Sequence, residues 1–167
     1  SWMAQGTDVL SMGWFPTSGF IANNWIGYNE AMILYCLGLG TATNPLPASA
    51  WNRWTSGYTY GTYYGQTFIP FSPLFGHQYS HCWIDFRHTA DAYMNSRNST
   101  YFQNSRRATL AQRAYCIANP LGRVGYSRQI TVFKFRHSAA IRMFNPHLHT
   151  VVSQHLDQRE SRPTIVE

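Results

Sequence analysis

Carboxylates are scarce in this sequence. Its 167 residues hold seven, Asp8, Glu30, Asp85, Asp91, Asp157, Glu160 and Glu167, and charged residues make up only 12%. Any acid–base role therefore falls on a very short set. Cysteines number three, Cys36, Cys82 and Cys116, each in an apolar helical context, with no CxxC or other zinc spacing. That pattern excludes a disulfide framework and predicts buried free thiols. No apolar run reaches the ~18–20 residues of a membrane span, and no signal-peptide pattern is visible. No internal repeat of fixed period stands out.

The net charge of +6 raises the question of nucleic acid. Its distribution answers it. Residues 1–120 carry six Arg and four acids, and residues 121–167 carry six Arg, one Lys and three acids. The excess sits mostly in the tail, with no RNA- or DNA-binding motif beside it. A nucleic-acid partner is not expected.

What is abundant is aromatic: 16% of residues, including six Trp, all at or before Trp83. Tyr and Trp combine a flat apolar body with a polar tip. A surface poor in charge and rich in such rings suits a ligand with apolar faces and hydroxyl edges, such as a sugar. The competing explanation for each ring is ordinary core packing.

With 167 residues, one domain is the prior. Residues 1–27 read as loop and short turns, punctuated by Gly13, Pro16, Gly19 and Asn23-Asn24. "YNEAMILYCLGLG" predicts a helix over about 29–39, with Asn29 as N-cap, Glu30 favoured at the positive helix end and Gly40 at the stop. Its apolar residues lie on every side, so burial all round is expected. "NPLPASAWNRW" predicts a short helix near 48–55. Residues 56–73, rich in Gly, Pro and Tyr, predict a long aromatic loop with scope for short strand pairing. Residues 74–96 and 100–119 predict two further helices, the second ended by Pro120. The fold class expected is mainly α.

On a continuous helix, His77, His81, Asp85 and His88, spaced 4, 4 and 3, share one stripe. Three readings stay open: metal ligands, satisfied buried polar groups, or the polar wall of a sugar cleft. No HExxH or independent ligand cluster accompanies them, so neither a metal nor another cofactor is expected. Asp91 and Arg87 lie four apart, and a surface ion pair is the default. Asn98-Ser99-Thr100 matches a glycosylation sequon by pattern only.

Glycosidic hydrolysis needs a proton donor to the leaving oxygen and a carboxylate that activates water or attacks the sugar. Glu30 and Asp85 are the acids that fall in patterned helical segments expected to be buried. Apolar surroundings keep a carboxyl protonated, which suits a general acid, and Glu30 is the better candidate. Its alternative explanation is a favourable charge at a helix N-terminus.

"GYNEAMILYCLGLG", "NPLPASAWNRW", "PLFGHQYSHCWIDFR", "DAYM" and "YFQNSRRATLAQRAYCIANP" occur in order and together resemble the glycoamylase-like domain of bacterial endo-β-1,2-glucanases and cyclic β-1,2-glucan synthases, over roughly residues 9–126. The resemblance implies part of an (α/α)6 toroid of helical hairpins, with a sugar cleft formed by loops at one end. It implies inverting hydrolysis of a β-1,2-linked glucan, and a periplasmic or extracellular location. The family's Y-N/S-E motif falls on Tyr28, Asn29 and Glu30, the last as general acid. The H-Q-Y-S-H-x-W-I-D-F-R motif falls on His77, Gln78, Tyr79, His81, Trp83, Asp85 and Arg87. With Trp25, these residues are the expected cleft wall, and Asp85 the second catalytic candidate. The alternative function is a non-catalytic carbohydrate-binding or inactive fragment.

The resemblance fades after about residue 126. From there the chain has no Trp and no Gly, holds four of the seven His, and does not match the family's continuation. A six-hairpin toroid needs more helices than are present, and apart from Asp8 no acid precedes the matched region. Residues 127–167 thus read as a divergent basic tail, explained by a shifted frame or truncated gene model. Reading the coding DNA from about codon 115 in all three frames tests this. A Trp/Gly-rich helical continuation in another frame is the expected result.

Overall fold

Glycine, proline and asparagine breaks cut the apolar stretches into short elements, and side-chain hydrogen bonds from distant segments tie them together. In the computed structural model, residues 8–126 are described; the basic tail lies outside them. Five helices, α1 (Met32–Gly40), α2 (Ala48–Thr55), α3 (Phe75–Gln78), α4 (Ala92–Ser96) and α5 (Tyr101–Ala118), dominate these residues. Two small antiparallel hairpins accompany them, β1 (Trp14–Phe15) with β2 (Gly19–Phe20) and β3 (Gly61–Tyr63) with β4 (Gln66–Phe68). The described chain is therefore mainly α, and none of its helices is long and apolar enough to cross a membrane.

The core is an aromatic stack around Trp54, which α2 buries completely. Its ring meets Tyr35 of α1 at 5.5 Å, Tyr28 at 6.2 Å, Trp51 at 4.8 Å and Tyr58 at 5.2 Å between centroids. Offset and tilted ring pairs at these distances add to the burial of large apolar area. A second cluster, Phe68, Leu74, Ala108 and Ala111, packs β4 against α5. There Asn104 of α5 acts as a false strand partner: its Oδ1 accepts from the Ile69 amide at 2.8 Å and its Nδ2 donates to the Ile69 carbonyl at 3.4 Å. Two backbone groups just past β4 are thereby satisfied inside the protein.

Asp91 is the polar counterpart of Trp54. Its Oδ1 accepts from the Met94 amide at 2.8 Å and so caps α4. Its Oδ2 accepts from Trp51 Nε1 at 2.7 Å and from the Tyr101 hydroxyl at 2.6 Å. Tyr58 joins through a 3.1 Å contact between its hydroxyl and that of Tyr101. Burial, with Asp91 beside it, pushes the Tyr101 phenol far above its ordinary range, so it stays a donor.

Several expectations hold locally. α2 and α5 occupy the predicted spans; Thr100 caps α5, and Asn119, in the left-handed region, ends it just before Pro120. The β3–β4 turn places Tyr64 and Gly65 at positive φ, as a two-residue hairpin requires.

Other expectations are corrected. α1 is not buried all round: Met32 and Tyr35 face the core, whereas Leu34 and Leu37 are 47% and 62% exposed. Asn29 does not cap it in the usual position; its Oδ1 accepts from Ala31 two residues on, while Ser80 Oγ, brought from a distant segment, accepts from the Ile33 amide at 3.1 Å. Residues 74–96 do not form one helix. After α3 comes a 3-10 turn, Ser80–Cys82, then irregular chain before α4. Asp85 closes a turn onto the Arg87 amide at 3.0 Å, and Asp91 starts a new helix. Such local side-chain bonds to backbone compete with helix continuation. The Arg87–Asp91 pair is not formed, since Arg87 binds Asp85. Cys116 is buried, but Cys36 is half-buried and Cys82 exposed.

Asp91→Ala should lower stability by about 4 kcal/mol, about 1 for the lost helix cap and about 1.5 for each of two charge-assisted bonds. Asp85→Ala should leave the unfolding midpoint unmoved. Urea unfolding followed by tryptophan fluorescence measures both.

Candidate functional site

Glu30 stands in the turn just before α1, half-buried. The two residues ahead of it are fixed. Asn29 is buried, with its Nδ2 donating to the Gly27 carbonyl at 2.8 Å and its Oδ1 taken by Ala31. Tyr28 is buried with its ring stacked on His77, centroids 4.8 Å apart. The backbone of Glu30 is held as well, its carbonyl accepting from Ser80 Oγ at 3.3 Å. Yet Glu30 Oε2 is buried and has no hydrogen-bond partner. An acid so placed has a rigid base and one uncommitted oxygen.

Gly76 of α3 forms the facing wall. A Cβ there would stand 3.5 Å from Glu30 Oε2 and 2.2 Å from Phe71 Cδ1. Only glycine lets the Phe71 ring lie where it does, beside the carboxylate. The Phe71 amide in turn donates to His77 Nε2 at 3.1 Å. That bond puts the ring proton on Nδ1, which is buried without a partner. Burial, with His81 nearby, drives the His77 pKa down to about 3, so the ring is neutral.

Ser105 of α5 joins this segment to Tyr28. Its hydroxyl donates to the His77 carbonyl at 2.6 Å. The oxygen is then left to accept from His81 Nε2, at 2.9 Å, and from the Tyr28 hydroxyl, at 3.3 Å. Burial pushes the Tyr28 phenol up to about 12, so Tyr28 remains a hydrogen-bond donor. Burial also lowers the His81 pKa, an effect that Asp85 partly offsets.

The remaining expected residues are dispersed. Asp85 is exposed, not buried in a helix, and both its oxygens are taken by Arg87: Nε lies 2.9 and 3.0 Å from Oδ1 and Oδ2, and Nη2 lies 2.6 Å from Oδ2. This bidentate grip holds the Asp85 carboxyl far below the usual carboxylate range. His88 is exposed. The four-residue stripe of His77, His81, Asp85 and His88 does not exist, because the helix ends before it is complete. Among the described residues no group of three or more His, Cys, Asp or Glu is placed to hold a metal ion. Trp25 is half-buried against the main core, its carbonyl accepting from the Tyr35 hydroxyl at 2.7 Å. Tyr79 and Trp83 are exposed. Gln78 and His81 turn the other way, with Ser105, Arg106 and Phe102, into a cavity of about 310 Å³ between α3 and α5 that Glu30 does not line. Sequence reasoning missed Gly76, Ser80 and Ser105, whose roles arise from contacts between segments and leave no local signature.

A family profile described as "Putative glucoamylase" matches residues 22–131. The chain belongs to this family. Solved structures agree: a family protein of Bacteroides caccae is 32% identical with a TM-score of 0.65, and one of Bacteroides fragilis is 30% identical with a TM-score of 0.66, each described as a "putative glucoamylase". A β-1,2-glucanase from Parabacteroides distasonis is 26% identical with a TM-score of 0.65. These matches cover 73%, 74% and 74% of this chain but 31%, 31% and 21% of the respective structures. The chain thus spans a third or less of its family neighbours. No curated protein sequence matches it.

The neutral, buried His77 has a consequence for stability. Its folded pKa lies below the unfolded value of 6.5, so the unfolded state binds more protons between pH 6.5 and about pH 3. Stability should therefore fall as pH drops through that window, by a few kcal/mol in all. His77→Gln, which keeps an acceptor for Phe71, should flatten the acid limb of a Tm-against-pH profile. An unchanged limb would place the titration elsewhere.

Proposed function

We propose that this chain is a glycoside hydrolase-type domain acting on a β-linked glucan, with Glu30 as the proton donor to the leaving oxygen. The observation that carries the reading is Glu30 itself: a carboxyl anchored through its backbone and neighbours, with one buried oxygen that no protein group engages. Asp91, by comparison, spends its oxygens on three donors, and Asp85 spends both of its own on Arg87. Family membership and the likeness to a β-1,2-glucanase support a carbohydrate substrate, and the β-1,2 linkage within that class.

In this reading Tyr28, Asn29 and Ser80 orient Glu30 rather than touch sugar, since their polar atoms are already bonded to protein. His77 serves the same end through Phe71, whose ring lies against Gly76 beside the carboxylate. A fixed carboxyl in a partly dry setting delivers its proton without reorganisation, which is where general acid catalysis gains. Asp85 enters as a pair with Arg87, a polar rim beyond the acid; in this state it is a poor acceptor for a proton from water. An inverting mechanism would pair Glu30 with a water-activating carboxylate across the scissile bond. We propose that the (α/α)6 toroid is the frame in which the two meet.

The exposed Leu34 and Leu37 favour a second reading, in which the chain is a piece of such an enzyme that binds glucan without turning it over. Glu30→Gln separates the two. If the chain is a hydrolase, this variant should lose at least about a hundredfold of its reducing-sugar release from β-1,2-glucan, with an unchanged circular-dichroism spectrum. Retained turnover would remove Glu30 from the acid role. Glucan binding by the unchanged chain with no turnover would favour the second reading.

A further inference from the structure

Tyr60, in the loop ahead of β3, and Tyr93 of α4 are half-buried rings that pack against the main core. Their centroids lie 6.0 Å apart and their planes 31° from parallel. Arg97, the residue just past α4, is exposed and lays its guanidinium over both rings. Its Cζ stands 5.1 Å from the Tyr60 centroid and 5.8 Å from that of Tyr93. Such contacts hold a cation through the ring faces and leave its N–H edges open.

A second cation bears on Tyr60. Arg107 of α5 is half-buried, with Nη1 donating to the Thr67 carbonyl of β4 at 3.3 Å. Burial raises the Tyr60 phenol and Tyr93 adds to the rise, while Arg107, a hydrogen bond with Ser99 and Arg97 partly offset it. The phenol stays protonated, and its hydroxyl donates to a thioether, Met94 Sδ at 3.8 Å, which is a weak acceptor.

No acid among the described residues balances the two arginines. The carboxylates there are Asp8, Glu30, Asp85 and Asp91. Asp85 is held by Arg87 and Asp91 by three other donors, and none of the four pairs with Arg97 or Arg107. A cation just past a helix end is favoured by the helix dipole, but that accounts neither for the two rings beneath Arg97 nor for the second cation. Unbalanced guanidinium groups suit an oxyanion, because their planar fork matches its oxygens. Two cations favour an anion with two charges, which a phosphate group approaches near neutral pH.

We propose that Arg97, Arg107 and Tyr60 hold a phosphate group, with Tyr93 keeping Arg97 in place. The ligand is free phosphate or a phosphate monoester, whose terminal oxygens present the same chemistry. The site shares no residue with the surroundings of Glu30 and stands whether or not the chain acts on glucan.

Inorganic phosphate is titrated into the chain at fixed ionic strength, with binding read from the arginine Nε–H resonances. Arg97 and Arg107 should shift and saturate together. Arg97→Ala and Arg107→Ala should each weaken binding about tenfold. Arg97→Lys keeps the charge but loses the fork, and should weaken it about threefold. Arg106→Ala removes the same charge one position away on α5, where the side chain lines the α3–α5 cavity. Its affinity should stay within about twofold of the parent. Circular dichroism checks each fold, and if Arg107→Ala fails to fold, the two variants of the exposed Arg97 decide. Unchanged affinity in the Arg97 variants overturns the site. So does an Arg106→Ala loss equal to that of Arg107→Ala, which would give the effect to net charge alone. Acetate at the same concentration should shift these resonances far less, and an equal response would overturn the assignment to phosphate. Methyl phosphate separates the two sources: matching affinity supports a monoester, and binding of inorganic phosphate alone supports the free ion. No saturable binding of either overturns the proposal and leaves the glucan reading untouched.

Discussion

One carboxylate, Asp91, ties together segments that have little else in common. Trp51 of α2, the amide of Met94 in α4 and the hydroxyl of Tyr101 at the start of α5 all donate to it. In a protein with so few acids this is a concentrated use of charge. A half-buried carboxylate is costly unless several donors converge on it, and here they do. The aromatic stack on Trp54 supplies apolar area, but area alone has no direction. Asp91 gives the stack its register, because Trp51 neighbours Trp54 in the helix and Tyr101 lies in the same ring cluster.

The arrangement at Glu30 follows the opposite logic. Asn29, Ser80, Ser105 and Tyr28 around it have their side-chain polar groups bonded within the protein, whereas Glu30 Oε2 and His77 Nδ1 have no partner. Asn29 closes onto the Gly27 carbonyl and the Ala31 amide, Ser80 grips the Glu30 carbonyl and the Ile33 amide, and Ser105 binds Tyr28, His77 and His81 at one oxygen. Buried polar groups are as a rule satisfied by their surroundings, and a carboxyl left with capacity is a candidate for chemistry. The contrast between Asp91 and Glu30 is what supports the proposal of Glu30 rather than Asp91 as the proton donor.

Much of this was legible in the sequence, and the divide is physical. α2 and α5 carry their own start and stop signals, Pro47 before α2 and Thr100 and Pro120 around α5, so local pattern sufficed. Glu30 could be singled out because acids are rare and it heads an apolar run. The run from Phe75 to Ser96 could not be divided correctly, since its breaks depend on where Asp85 and Asp91 direct their oxygens, and both were read through a helix that does not form. Asp85 was therefore expected inside and is found outside, paired with Arg87. The importance of Gly76 was invisible because its role is a missing atom, felt only once Phe71 is brought against it.

The contacts that build the site also differ in reach from those that build the helices. Ser105 meets Tyr28 across 77 positions and Ser80 meets Glu30 across 50. Closing such long loops costs chain entropy before any contact repays it, so non-local pairings slow folding. The helices can begin from local signals, but the surroundings of Glu30 are complete only when α5 has returned to Tyr28 and the 71–80 segment is clamped between them. The acid and its supports are joined by the longest-range links in the described chain region, and the order in which the chain closes on itself decides when the site exists.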